Sequence, residues 1–197
     1  IQPYSLLSVI GQGCHRLSEI AGHLGKPATS LARPLAQLVD LGYVRRETPF
    51  GENDKSTKRT LYKIADPFLL FHFRFVQPNK SQLEVGAVRA IAATIRKQLP
   101  LHVSAVWEEM ARASVPFTGI GGHEWGPARR WWGTGIDGRP MEIDVVAESL
   151  DGRAVLVGEA KWTDTVVDLT AGKDRLLSMA RNSAWASGRE VVPVQWV

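Results

Sequence analysis

Three side chains in the second half of the chain, Asp144, Glu159 and Lys161, have the types and spacing to hold a divalent cation beside a phosphate. Two carboxylates bind a hard cation through oxygen and leave positions open for water and a phosphate oxygen. A cation so held lowers the pKa of its bound water and screens the charge that develops on phosphorus, while a neighbouring ammonium can orient the water or the scissile phosphate. Hydrolysis of a phosphodiester with Mg²⁺ or Mn²⁺ is the chemistry this set serves, with Asp144 and Glu159 as the metal ligands. The bland alternative for Glu159 and Lys161 is a solvent-exposed ion pair between strand neighbours.

The elements that must position these groups are two strands. Met141–Ala147 alternates in polarity, Asp151–Gly152 turns the chain, and residues 154–162 run apolar again, so the two strands should pair as a hairpin. Alternation along a strand sends Glu159 and Lys161 to one side. Register must then bring Asp144 opposite that end. Upstream, Val103–Arg112 reads as an amphipathic helix with Val103, Val106, Trp107 and Met110 buried, from which Glu109, or else Glu108, could reach in as a further ligand or base. Trp107, Trp125, Trp131, Trp132 and Trp162 read as packing residues rather than base-stacking ones.

The first half has a different character. Leu17, Ile20, Ala21 and Leu24 recur at helical spacing before the break at Gly25-Lys26-Pro27. A second helix follows, capped by Thr29 or Ser30, with Leu31, Leu35, Leu38 and Val39 as its apolar stripe and Pro34 inside it as a kink or a delay. Tyr43–Arg46 and Arg59–Ile64 read as strands around a polar, turn-rich Pro49–Thr57. This is a winged helix-turn-helix. Ser30, Arg33 and Gln37 lie on the solvent face of its second helix, and the wing adds Arg45, Arg46, Lys55, Lys58 and Arg59. Short polar donors flanked by cations suit base edges and phosphates, although the same fold also docks proteins.

Between the halves, Asp66-Pro67 starts a helix and Phe68, Leu69, Phe71, Phe73 and Phe75 read as core or as a surface docked on a partner domain. Val88, Ile91, Ala92 and Ile95 form a further helix that Pro100 should close. The expected organisation is a winged helix over 1–64, a helical connector over 65–98 and an α+β or α/β domain over 99–197.

Charge follows the same division. Residues 1–100 carry 14 Lys and Arg against 7 Asp and Glu, a balance of +7, whereas residues 101–197 carry 10 against 13, a balance of −3. A phosphate-facing surface belongs to the first half, and a cation site to the second. No apolar run approaches the roughly 20 residues that span a bilayer, and the single Cys14 can form no internal disulfide, so a cytoplasmic protein without membrane contact is expected. The five histidines have no metal-ligand spacing. Because the chain opens at Ile1, a longer parent polypeptide is also expected.

Trp131-Trp132-Gly133, Glu142–Val146 and Gly158-Glu159-Ala160-Lys161-Trp162 together resemble the nuclease-like C-terminal domain of the archaeal-type AAA+ ATPase family. Tyr62–Val76 is similar to the signature that opens that domain after a winged helix. The resemblance covers most of the chain. It implies a restriction-endonuclease-like, PD-(D/E)XK α/β fold, with Asp144 and Glu159 matching metal ligands, Lys161 the catalytic lysine and Glu109 the helix carboxylate. Ile143 stands where the motif's name has Pro. The resemblance also implies an N-terminal ATP-binding domain as partner in the same polypeptide. No Gly-x-x-x-x-Gly-Lys-Ser/Thr loop occurs in these residues, so they should hold no ATP site. The other reading is a catalytically inactive DNA- or protein-binding adaptor that regulates the ATPase.

Overall fold

The computed structural model describes residues 2–53 and 59–197. They form two compact units, Ile1–Glu47 with Asp54–Leu99, and Thr48–Asn53 with Pro100–Val197.

The first unit opens with α1 (Pro3–Gly11) and α2 (Leu17–Leu24), a 3₁₀ turn (Ala28–Leu31) and α3 (Ala32–Asp40). Helix α2 stops where the sequence says it should, because Gly25 takes a left-handed φ of 58° that closes the last turn. Helix α3 starts later than the capping pattern suggests. The Ser30 hydroxyl donates to the Pro27 carbonyl at 2.7 Å inside the 3₁₀ turn, so neither Ser30 nor Thr29 caps α3. Pro34 then falls in the first turn of α3, where its missing N–H is no loss. Strands β1 (Val44–Glu47) and β2 (Leu61–Ile64) pair antiparallel, Val44 opposite Ile64. Leu6, Ile10, Ile20, Leu31, Leu35, Val44, Ile64 and Phe73 close one core. The Asp66 carboxylate accepts from the Leu69 N–H at 2.9 Å and starts α4 (Pro67–Phe71). A π-helical turn, His72–Val76, continues it and buries Phe73 and Phe75, and α5 (Lys80–Glu84) follows.

Helix α6 (Val88–Ser114) does not end at Pro100, which lies inside it at the boundary of the two units. Proline removes one donor and strains a helix without forbidding it. The buried stripe beyond Pro100 is also offset from the expected one. Ala111 and Val115 are buried, with Trp107 packed on the same core one turn before, while Met110 is 57% exposed.

In the second unit β3 (Arg129–Thr134), β4 (Pro140–Glu148), β5 (Ala154–Ala160) and β6 (Glu190–Trp196) form one sheet in that order. The first three strands are antiparallel, and β6 runs parallel to β5 after the crossover helix α7 (Leu169–Arg181). Each face carries a core. Val145, Ala147, Leu156 and Ala160 pack with Trp107 and Ala111 of α6; Ile143, Val146, Val155 and Val157 pack with Leu176 and Ala180 of α7. Burial on both faces is why residues 154–158 read as an unbroken apolar run.

Pro49–Asn53, read from sequence as the start of the wing tip, belongs together with Thr48 to this second unit. Phe50 meets Trp185 edge to face at 5.5 Å, and its N–H donates to the Arg130 carbonyl at 2.8 Å. Lys55 and Lys58 lie outside the described residues. Among those described, no helix is long and apolar enough to cross a membrane.

Candidate functional site

The β4–β5 hairpin has the predicted turn, and its register pairs Val145 with Gly158 and Val146 with Val157. Continued by one pair, it sets Asp144 opposite Glu159. An irregularity sharpens this placement. From Arg129 to Trp131, β3 advances two residues while β4 retreats three, from Val146 to Ile143, so β4 bulges at Asp144 and Val145. Strict alternation would put Ile143 and Val145 on one face, yet they enter opposite cores. The bulge frees the Asp144 carbonyl, and Arg112 of α6 donates to it at 2.8 Å.

The Asp144 side chain accepts from the Ala160 N–H at 3.2 Å. Burial pushes its carboxyl above the usual range; that N–H and the Arg130 and Arg112 charges pull it down, and the neighbouring Glu159 charge adds to the rise. Glu159 is held by cations. Lys161 Nζ stands 3.5 Å from its Oε2, and the Arg175 guanidinium of α7 pairs with the same oxygen. Lys161 and Arg175 line a pocket of about 490 Å³ together with Thr163, Asp168 and Gly172. Asp168 is occupied in capping α7, accepting from the N–H groups of Thr170 and Ala171.

Asp144 is thus brought beside Glu159, and Glu159 beside Lys161. Glu109 is not added to them: among the described residues no three His, Cys, Asp or Glu side chains are grouped to share an ion. Glu108 stands 3.8 Å from Arg112 in an ion pair along α6. Sequence reasoning missed Arg112 and Arg175. The signal for Arg175 was its place beside the Gly172, Leu176 and Ala180 stripe of an amphipathic helix.

In the first unit Arg33 and Gln37 are exposed one turn apart on α3, and Ser30 is exposed in the preceding turn. Arg46 is exposed on β1 and donates to the Thr60 hydroxyl at 3.2 Å; Arg59 is exposed before β2. Arg45 is placed differently. It faces Lys63 across the ladder, and both grip Glu47, at 2.8 Å and 3.0 Å. Burial pushes the Glu47 carboxyl up, but Lys63 and Arg45 more than offset this and hold it at about 2. Cys14 approaches His23 Nδ1 at 3.3 Å, and burial followed by the Glu19 charge raises its thiol, the wrong direction for a nucleophile.

A family model, DUF234, described as archaeal and bacterial proteins of unknown function, matches residues 72–173. The chain belongs to this family. The DUF234 match spans the sheet through β5, with Asp144, Glu159 and Lys161, and stops just before Arg175. A second model, the IclR helix-turn-helix domain, matches residues 11–48, and it takes in α2, α3 and β1. The N-terminal unit is therefore a helix-turn-helix with a wing, and the DUF234 region is a mixed α and β, sheet-containing domain. An uncharacterised protein of Methanocaldococcus jannaschii, MJECL04, is 32% identical over 168 residues, covering 81% of this DUF234 chain. The chain spans about a third of that relative's length, 35%. No solved structure matches it.

Proposed function

We propose that the chain is the C-terminal part of an archaeal-type AAA+ ATPase, in which the winged helix binds duplex DNA and a PD-(D/E)XK nuclease-like domain hydrolyses DNA phosphodiesters. The observation that carries this reading is the convergence of Asp144, Glu159 and Lys161 at one end of the β4–β5 hairpin, with β4 bulged at Asp144. Two carboxylates are a sufficient protein contribution for Mg²⁺ or Mn²⁺, because such ions keep several waters and take further oxygens from phosphate. Burial, and to a lesser degree the Glu159 charge, raise the Asp144 carboxyl, and a cation between the two would favour the ionised form of both. When bound, the ion supplies an acidified water and screens charge on phosphorus. Asp144 and Glu159 would hold it, and Lys161 would orient the water or the phosphate. Arg175, exchanged from Glu159 to the phosphate, neutralises the backbone at the pocket where both cations meet.

On the winged helix, Arg33 and Gln37 take the base edges, and Ser30, Arg46, Lys58 and Arg59 the phosphates. Arg45 contributes less, since Glu47 already holds it. The Methanocaldococcus relative extends well beyond the matched stretch, which supports a longer polypeptide; in this proposal the remainder carries the ATPase domain partner. DNA as substrate and one thiol with no pairing partner suit a cytoplasmic protein.

The test is nicking of supercoiled plasmid in Mn²⁺ and in EDTA. Cutting that requires the metal and disappears in Lys161→Ala and Glu159→Ala supports hydrolysis at this site; undiminished cutting by those variants removes it. A second reading, a non-catalytic DNA- or protein-binding adaptor of the ATPase, is favoured by one observation: Glu159 already has two cationic partners. Salt-dependent DNA binding with no cutting by the wild type selects the adaptor.

A further inference from the structure

Trp162 follows Lys161 directly and is 54% exposed, although large aromatic side chains at the end of a buried strand usually enter the core. It leans edge to face on Trp107, with ring centroids 6.0 Å apart. Trp107 is itself fixed, packed on the core beneath β5 and with its indole N–H directed at the Trp196 carbonyl at 3.5 Å. A pocket of about 380 Å³ opens here, lined by Pro100, Trp107, Lys161, Trp162, Asp164 and Val197. It shares Lys161, Trp162 and Thr163 with the larger pocket that holds Arg175. One pocket is thus aromatic and the adjoining one cationic, with Lys161 on the wall between them.

A nucleotide has the same two-part character, a flat apolar base beside an anion. Asp164 on the wall of the aromatic pocket repels a phosphate and leaves the backbone to Lys161 and Arg175. We propose that the Trp107–Trp162 pocket is a subsite for an unpaired nucleobase, so that this unit prefers single-stranded DNA, with the adjoining phosphate at Lys161 and Arg175. The inference rests on the reading of Lys161 as phosphate-facing and adds the substrate class. A base paired within a duplex is sandwiched between its neighbours and offers no face to Trp162; an unstacked one does.

The experiment measures binding in EDTA, where no metal-dependent cutting intrudes, by fluorescence anisotropy of labelled oligo(dT) and of a blunt duplex of equal length. Trp162→Ala is expected to weaken oligo(dT) binding about 5- to 150-fold, the range of one lost base–aromatic stack, and to leave duplex binding unchanged. Trp162→Phe should keep most of the single-strand affinity. Should Trp162→Ala fail to fold, Trp162→Leu removes the π face at similar bulk and carries the same expectation. Unchanged oligo(dT) binding, or an equal loss on both probes, overturns the proposal; the first is what a protein-docking pocket would produce. Single-strand binding that needs Trp162 in a protein that never cuts would sink the hydrolytic reading and leave this subsite standing. Cutting with no dependence of single-strand affinity on Trp162 would do the reverse.

Discussion

Two carboxylate clusters in this chain are built from the same residue types and come out opposite. In the first unit Glu47 sits between Arg45 and Lys63, each at 3.0 Å or less, and its carboxyl is held at about 2. In the second, Asp144 and Glu159 lie side by side, Lys161 and Arg175 both pair with Glu159, and the Asp144 carboxyl is raised. The difference is in what burial meets. At Glu47 two cations in direct contact outweigh the cost of burial, whereas at Asp144 burial prevails over the Ala160 N–H and the Arg130 and Arg112 charges, with the Glu159 charge adding to the rise. A carboxylate near cations is therefore no sign of a site until burial and each charge have been weighed.

The comparison breaks most visibly at the second cluster. Replacing Glu159 or Lys161 by Ala should lower metal-dependent plasmid cutting by on the order of 10²- to 10⁴-fold, the usual share of a positioned catalytic group, with the far-ultraviolet circular dichroism spectrum unchanged. Damage to the first cluster should show in stability instead. A carboxyl depressed in the folded state stabilises above its unfolded pKa and loses that contribution as pH falls through the folded value. For Glu47 this places the loss between roughly pH 4.5 and 2, and at neutral pH the contribution is on the order of 3 kcal/mol. Urea melts of Glu47→Gln should show a deficit of that order at pH 7 that shrinks in acid; a deficit independent of pH would mean the two cations do not act through charge.

The basic face of the first unit offers a smaller effect. Arg46→Ala should weaken duplex binding by roughly ten-fold and reduce the slope of log affinity against log salt by about 1, while Arg45→Ala should move the slope less, because Arg45 serves Glu47. Smallest is the response of the metal-free protein to Asp144→Asn. A raised carboxyl has the opposite sign from Glu47: its ionised form costs stability as pH rises through the folded value. The variant should therefore melt at the same temperature as the wild type or slightly higher at pH 7, although it loses an acid central to the proposed chemistry. A clear drop in melting temperature would make Asp144 a structural residue like Glu47.

The local signals in the chain were enough for much of this. Helical spacing, Gly25 and the Asp66-Pro67 pair marked α2 and α4, and alternation with Asp151-Gly152 marked the hairpin that carries Asp144, Glu159 and Lys161. Those features depend on neighbours within a few residues, so they can be read without a fold. Others were misread because the deciding partner is remote: Pro100 looked like a helix end and Met110 like core.

What the sequence determined by itself was therefore the kind of element at α2, α4 and the β4–β5 hairpin, and which residue types stood at a spacing suited to chemistry. Only the tertiary structure decided the bulge that parts Ile143 from Val145, the Arg112 contact to the Asp144 carbonyl, the Arg175 hold on Glu159, and the capture of Arg45 by Glu47. Register and charge pairing join groups far apart along the chain, and their energies exist only once burial has brought those groups within a few ångströms of each other.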